Sequence, residues 1–170
     1  MRKLISYILI LTLLLSGCHR TESEKTVLFY YPRVDYTQNS ADSVVAPETR
    51  NREDFSTIVL LNRYLQGPQD PLLKNPFPAG TIVTELYVMG NVTLVTLSDE
   101  FAQLSGLDLA LACASISRTV SGITGMPIVQ LDCETVKLNG SQHITVTPDT
   151  FLYLDDIPAT AETISTEEPS

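Results

Sequence analysis

Ile82-Val83-Thr84-Glu85-Leu86-Tyr87-Val88-Met89-Gly90-Asn91-Val92-Thr93-Leu94-Val95-Thr96-Leu97 decides how the chain folds. Two runs rich in apolar and β-branched residues flank Gly90-Asn91, a pair suited to the left-handed conformations of a two-residue hairpin turn. Pairing Met89 with Val92 sets Leu86 opposite Val95, Val88 opposite Thr93 and Thr84 opposite Leu97 on one face, and Tyr87 opposite Leu94 on the other. Both faces are partly apolar. If helices cover the face with Leu86, Val88 and Val95, then Val83, Tyr87, Met89, Val92 and Leu94 form a second face that needs a cover. That cover is either the later segment 136–154 or a partner protein.

On the amino-terminal side, a loop with Pro68, Pro71, Pro76 and Pro78 forbids a regular element before Gly80. Before it, Phe55, Ile58, Leu61 or Asn62, and Leu65 recur at helical spacing, with Asp54 placed to cap the start and Gly67-Pro68 to stop the end. Thr26 to Tyr31 is β-branched and aromatic up to Pro32 and predicts a strand. Ser43 to Ala46 predicts a second, short one, ended by Pro47, with the charged stretch from Glu48 to Asp54 leading into the helix.

On the carboxyl side, Ser105-Gly106-Leu107-Asp108 fits a capping box. Leu109, Cys113, Ile116, Val120 and Ile123 then form one helical stripe that ends near Gly122 to Gly125. Ile128 to Cys133 alternates as a strand with Val129, Leu131 and Cys133 on one face, and 136–138, 144–146 and 151–154 are candidates for small added strands. The order predicts an α+β fold, a mixed β-sheet with two helices packed on one face.

The chain opens with Met1-Arg2-Lys3 and the apolar run Leu4 to Leu15, the charged-then-apolar layout of an export signal, too short for a membrane span of about 20 residues. Leu15-Ser16-Gly17-Cys18 looks like the lipobox of bacterial lipoproteins. That resemblance implies removal of residues 1–17, acylation of Cys18 with palmitate-type chains, and an extracytoplasmic protein lipid-anchored to the cell membrane. Residues 18–25 then read as a polar tether, and 155–170, acidic and rich in Ser, Thr and Pro, as a disordered tail.

Loss of Arg2 and Lys3 with the signal takes the formal charge from −9 to −11. Nucleic acid is excluded as a partner on that balance, because phosphate binding needs a basic surface. The same charge opposes adhesion to anionic lipid, so the acyl chains are expected to do the holding.

Catalysis and metal binding find little support. The chain has only His19 and His143, and no nucleophile elbow, metalloprotease helix or phosphate loop occurs. Asp99-Glu100 fits a helix start or turn, and Asp155-Asp156 a solvated tail. No enzyme, metal or cofactor is expected. Cys113 and Cys133 lie on core-facing positions of a consecutive helix and strand. Either they form a disulfide, worth about 3 kcal/mol outside the cytoplasm, or they pack as free thiols. Asn91-Val92-Thr93 and Asn139-Gly140-Ser141 match a glycosylation sequon and are read as turns.

The element order, with Val27 to Tyr31, Glu48-Thr49-Arg50, Leu61 to Leu65 before Gly67-Pro68, Pro78-Ala79-Gly80-Thr81, Val95-Thr96-Leu97-Ser98 and Arg118-Thr119-Val120, resembles the GerMN domain family, a sporulation and germination module of bacterial lipoproteins. The resemblance places the module at 26–134 and leaves 135–154 as a carboxyl-terminal elaboration, since Leu131-Asp132-Cys133-Glu134 continues where the family usually turns at a Val-Asp-Gly. It implies a helix-strand-strand-helix-strand core similar to ring-building motifs. It also implies a non-enzymatic structural or assembly role in the envelope during sporulation or germination, through an envelope protein or self-association. The alternative is a binding module for peptidoglycan or another wall ligand.

Overall fold

A computed structural model describes residues 26–35, 44–52, 55–138, 140–147 and 150. The signal segment 1–17, Cys18 and the tether, Asp54, Asn139, segment 151–154 and the tail 155–170 lie outside the described residues.

The order is β1 (Thr26–Pro32), β2 (Val45–Asn51), α1 (Thr57–Leu65), β3 (Val83–Met89), β4 (Val92–Leu97), a 3₁₀ turn (Asp99–Gln103), α2 (Gly106–Thr124), β5 (Ile128–Cys133) and β6 (His143–Val146). A mixed four-stranded sheet runs β3-β4-β5-β6, with β4 and β5 parallel and the outer pairs antiparallel. Both helices pack against it. β1 and β2 do not join it but form their own antiparallel pair, which meets α2.

β2 is longer than the sequence predicts and carries Pro47 in its middle, opposite Tyr30. The proline is tolerated because Tyr30 turns its backbone away from β2. Its N–H donates to Thr119 Oγ1 at 2.9 Å and its carbonyl accepts from the Tyr64 hydroxyl at 2.9 Å. No ladder bond is lost at that position. The charged stretch after Pro47 is therefore strand, not a run-up to the helix, and Ser56 caps α1.

The core is an aromatic and aliphatic cluster between the layers. Tyr64, fully buried, packs on Phe29, Tyr31 and Phe77 at ring separations of 5.2, 4.9 and 5.2 Å. Val83, Val95, Leu97, Val129 and Leu131 supply the sheet side, and Leu109, Cys113, Ile116 and Val120 the stripe of α2. The middle of α2 is enclosed on more than that stripe, because Ala114, Ser115, Ser117 and Thr119 are buried as well. The Ser117 hydroxyl turns back onto the Cys113 carbonyl at 2.6 Å.

Gly67 stops α1 with φ 103°, where a Cβ would lie 3.0 Å from the Asn75 side chain that seals the Leu65 carbonyl. Gly125 ends α2 in the left-handed conformation. At the other end of α2, Ser105 occupies the cap position but makes no side-chain capping bond, so the predicted capping box is not formed.

The hairpin register is as expected from Met89–Val92 through Leu86–Val95. A bulge then intervenes, and Val83, not Thr84, faces Leu97. The bulge is held from outside the sheet, by the Asn62 carboxamide, which accepts from the Val83 N–H at 2.7 Å and donates to the Val83 carbonyl at 3.1 Å. One side chain of α1 thereby stands in for a neighbouring strand at the start of the β3 edge.

Candidate functional site

Pairing registers define what lies on the face of the four-stranded sheet away from the helices. Residues alternate across a sheet, so Val95, Leu97, Val129 and Leu131 face the core and their neighbours face outward. The outward rows are Met89, Val92 and Ile128; then Tyr87, Leu94, Gln130 and Thr145; then Glu85, Thr96, Asp132 and His143. The face is apolar at the hairpin end and polar and acidic at the other. No described element lies over it.

Four of the five expected partner-face residues are there. Tyr87 is 57% and Met89 66% exposed, with Val92 and Leu94 half-buried beside them. Val83 is not: the bulge rotates it into the core, where it is 2% exposed. Ile128 joins the face and went unnamed in the sequence reading, although burial of Val129 and Leu131 by alternation implies it. Of the proposed cover, residues 136–147 do not fill that role. Leu138 drops into the core, and β6 widens the sheet at its edge by pairing with β5.

A second, polar surface lies beside the β1–β2 pair, where Thr49, Arg50, Asn51, Arg63, Gln66 and Gln69 surround Phe29 and Leu60 in an open cleft of about 600 Å³. Beside it Glu48 clasps the loop after α1. Its carboxylate accepts from Arg50 Nε and from the N–H groups of Gln69 at 2.8 Å and Asp70 at 3.2 Å, while Arg50 Nη2 donates to the Gly67 carbonyl at 2.8 Å. The guanidinium also lies 5.3 Å from the Phe29 ring centre. Glu48 and Arg50, two apart on one strand, share a face, which gives the Glu48-Thr49-Arg50 segment a structural role.

Burial alone would raise the Glu48 carboxyl, but the bonds from Arg50, Asp70 and Gln69 outweigh it and hold it below its ordinary 4.5. A carboxylate depressed in the folded state adds stability that is present above 4.5 and lost as pH falls through the lower folded value. Glu48→Gln is expected to cost about 1 kcal/mol at neutral pH, kept small by solvent at the clasp. The difference from the parent should shrink toward zero on acidification, as followed by urea unfolding across a pH series. An unchanged gap at acid pH would mean the clasp does not act through charge.

The two candidate disulfide cysteines are free thiols, Cys113 buried and Cys133 half-buried. Burial pushes Cys113 up to about 12; burial, then the Asp99 and Asp132 carboxylates, push Cys133 up to about 11. Both are therefore protonated and poorly nucleophilic. Asp99 begins the 3₁₀ turn and accepts from the backbone N–H groups of Thr135 at 3.0 Å and Val136 at 3.3 Å, a pinning contact. His143 is exposed on β6. Among the described residues no three His, Cys, Asp or Glu side chains converge as a metal site, and no helix is long and apolar enough to cross a membrane.

Among solved structures, the first GerMN domain of the sporulation protein GerM from Bacillus subtilis superposes with a TM-score of 0.51, over 69% of this chain and 91% of that one, at 14% identity. The fold is GerMN-like. A candidate lipoprotein from Clostridium perfringens matches at a TM-score of 0.44 and 17% identity, over 74% of this chain and 88% of that one. No family model and no curated protein matches the sequence. Within the GerMN-like fold, β3, β4, α2 and β5 form the predicted strand-strand-helix-strand core, with α1 before it.

Proposed function

We propose that the chain is an extracytoplasmic lipoprotein, anchored through Cys18, that acts in the cell envelope by protein contact and carries no catalytic activity. The observation that carries this reading is the sheet face bearing Tyr87, Met89, Val92, Leu94 and Ile128, apolar and without a described cover. The GerMN-like fold supports an assembly role in sporulation or germination by analogy of fold. The lipobox-like Leu15-Ser16-Gly17-Cys18 supports the anchor.

The test is a photoreactive residue at Tyr87 in the full chain expressed in its own cells with Cys18 intact. Covalent recovery of one envelope polypeptide, or of a second copy of the chain, is expected. If no polypeptide is captured at any stage of growth or sporulation, protein contact through this face is wrong. The second reading, recognition of peptidoglycan or another wall ligand, would then move ahead. It is favoured by the polar cleft around Arg50, Arg63, Gln66 and Gln69, and cosedimentation with purified wall that weakens in Arg63→Ala would support it.

A further inference from the structure

β1 has a second edge, turned from β2 toward the last turns of α2. Tyr30, opposite Pro47, presents its N–H and carbonyl to that edge. Backbone direction repeats at every second residue of an antiparallel strand, so Leu28 and Thr26 present theirs there too. At Tyr30 the groups are taken by Thr119 and Tyr64. At Leu28 and Thr26 no described residue takes them, and the Leu28 side chain is 44% exposed.

Between this edge and α2 runs an open groove of about 420 Å³. Its helix wall is low at Ser121 and Gly122, and a Cβ at Gly122 would meet nothing within 4 Å. The charged residues on its described walls are both arginines, in a chain whose formal charge is −9. Arg118, 5.5 Å from the Tyr30 ring centre, stands at one end. Arg52 follows Asn51, the partner of Thr26, and stands at the other. From Thr26 to Tyr30 is about 13 Å along a strand.

An open strand edge binds backbone, and a helix along its far side leaves room for one extended chain. Arginines at the two ends select carboxylates. A single phosphate, free or in a lipid headgroup, would meet only one of them and make no use of the edge. We propose that an extended acidic segment of a partner protein adds to β1 as a strand in this groove. Its backbone bonds to Thr26 and Leu28, and two carboxylates about four residues apart pair with Arg52 and Arg118. This surface is separate from the face bearing Tyr87 and does not depend on it.

The experiment selects short random peptides displayed on phage against the full chain solubilised in detergent, then measures the selected sequences as synthetic peptides by fluorescence anisotropy. Peptides with two carboxylates about four residues apart are expected. Arg52→Glu and Arg118→Gln should each weaken binding about tenfold. Gly122→Gln should weaken it by filling the groove while raising the urea midpoint, because glutamine is the better helix former; loss of binding there is not loss of fold. N-methylation of alternate peptide amides should abolish binding and that of the intervening amides should not, and exchange of the Leu28 amide should slow in the complex. Failure to select any peptide, or selected peptides indifferent to the three variants, would overturn the proposal. So would arginine-dependent binding to phosphatidylglycerol vesicles with no peptide selected, which would assign the groove to lipid headgroups.

Discussion

Tyr64→Ala is expected to lower the stability of the domain by about 4 kcal/mol, a large part of the roughly 5–15 kcal/mol that folded domains possess. The side chain is fully buried and touches the rings of Phe29, Tyr31 and Phe77, so its removal opens a cavity where β1, α1 and the proline-rich loop meet. Its hydroxyl also satisfies the Tyr30 carbonyl, the group that turns away from β2 to let Pro47 sit in the strand. Tyr64→Phe keeps the packing and loses that one bond, at about 1 kcal/mol. With a typical denaturant slope, the alanine variant should bring the urea midpoint down by roughly 2 M and the phenylalanine variant by less than half that. Equal shifts in the two variants would mean that the cluster is not what holds the two sheets together.

Cys18→Ser is expected to abolish incorporation of labelled palmitate completely and to remove the mature amino terminus at residue 18. The effect is all or none because in the proposed anchor the thiol is the attachment atom, and serine offers no thioether. Each buried methylene contributes about 0.8 kcal/mol, so two or three chains on one residue exceed any electrostatic hold on the membrane. With the charge near −11 expected once residues 1–17 are removed, the parent should stay in the membrane fraction whatever the salt. Labelling retained in the variant, or a parent protein whose mature end lies elsewhere, would remove the anchor from the proposed function.

What could be read from the sequence was set by local chemistry. Gly90-Asn91 fixed the hairpin register, and the spacing from Leu109 to Ile123 gave α2 with its left-handed stop at Gly125. What escaped was imposed from a distance. The bulge that buries Val83 is held by Asn62, 21 residues away, and no alternation within 82–97 signals it. Pro47 reads as a strand stop unless Tyr30 is known to bond toward Thr119. The separation of β1 and β2 from the main sheet is likewise a matter of packing on α2, for which sequence order carries no mark. The candidate face was legible at Tyr87, Met89, Val92 and Leu94, where alternation is undisturbed; it failed across the bulge at Val83 and left out Ile128 on the neighbouring strand.

The Tyr30–Thr119 bond joins residues 89 positions apart, and this separation sets an order of events during biogenesis. A chain exported from its amino end delivers β1 first, while the helix that completes it arrives most of a domain later. Contacts of such long range form slowly, and through that interval β1 has an unpaired side, and unpaired strand edges recruit wrong neighbours. Under the proposed anchor at Cys18, the strand next to the lipid is the first to be delivered and among the last to be finished.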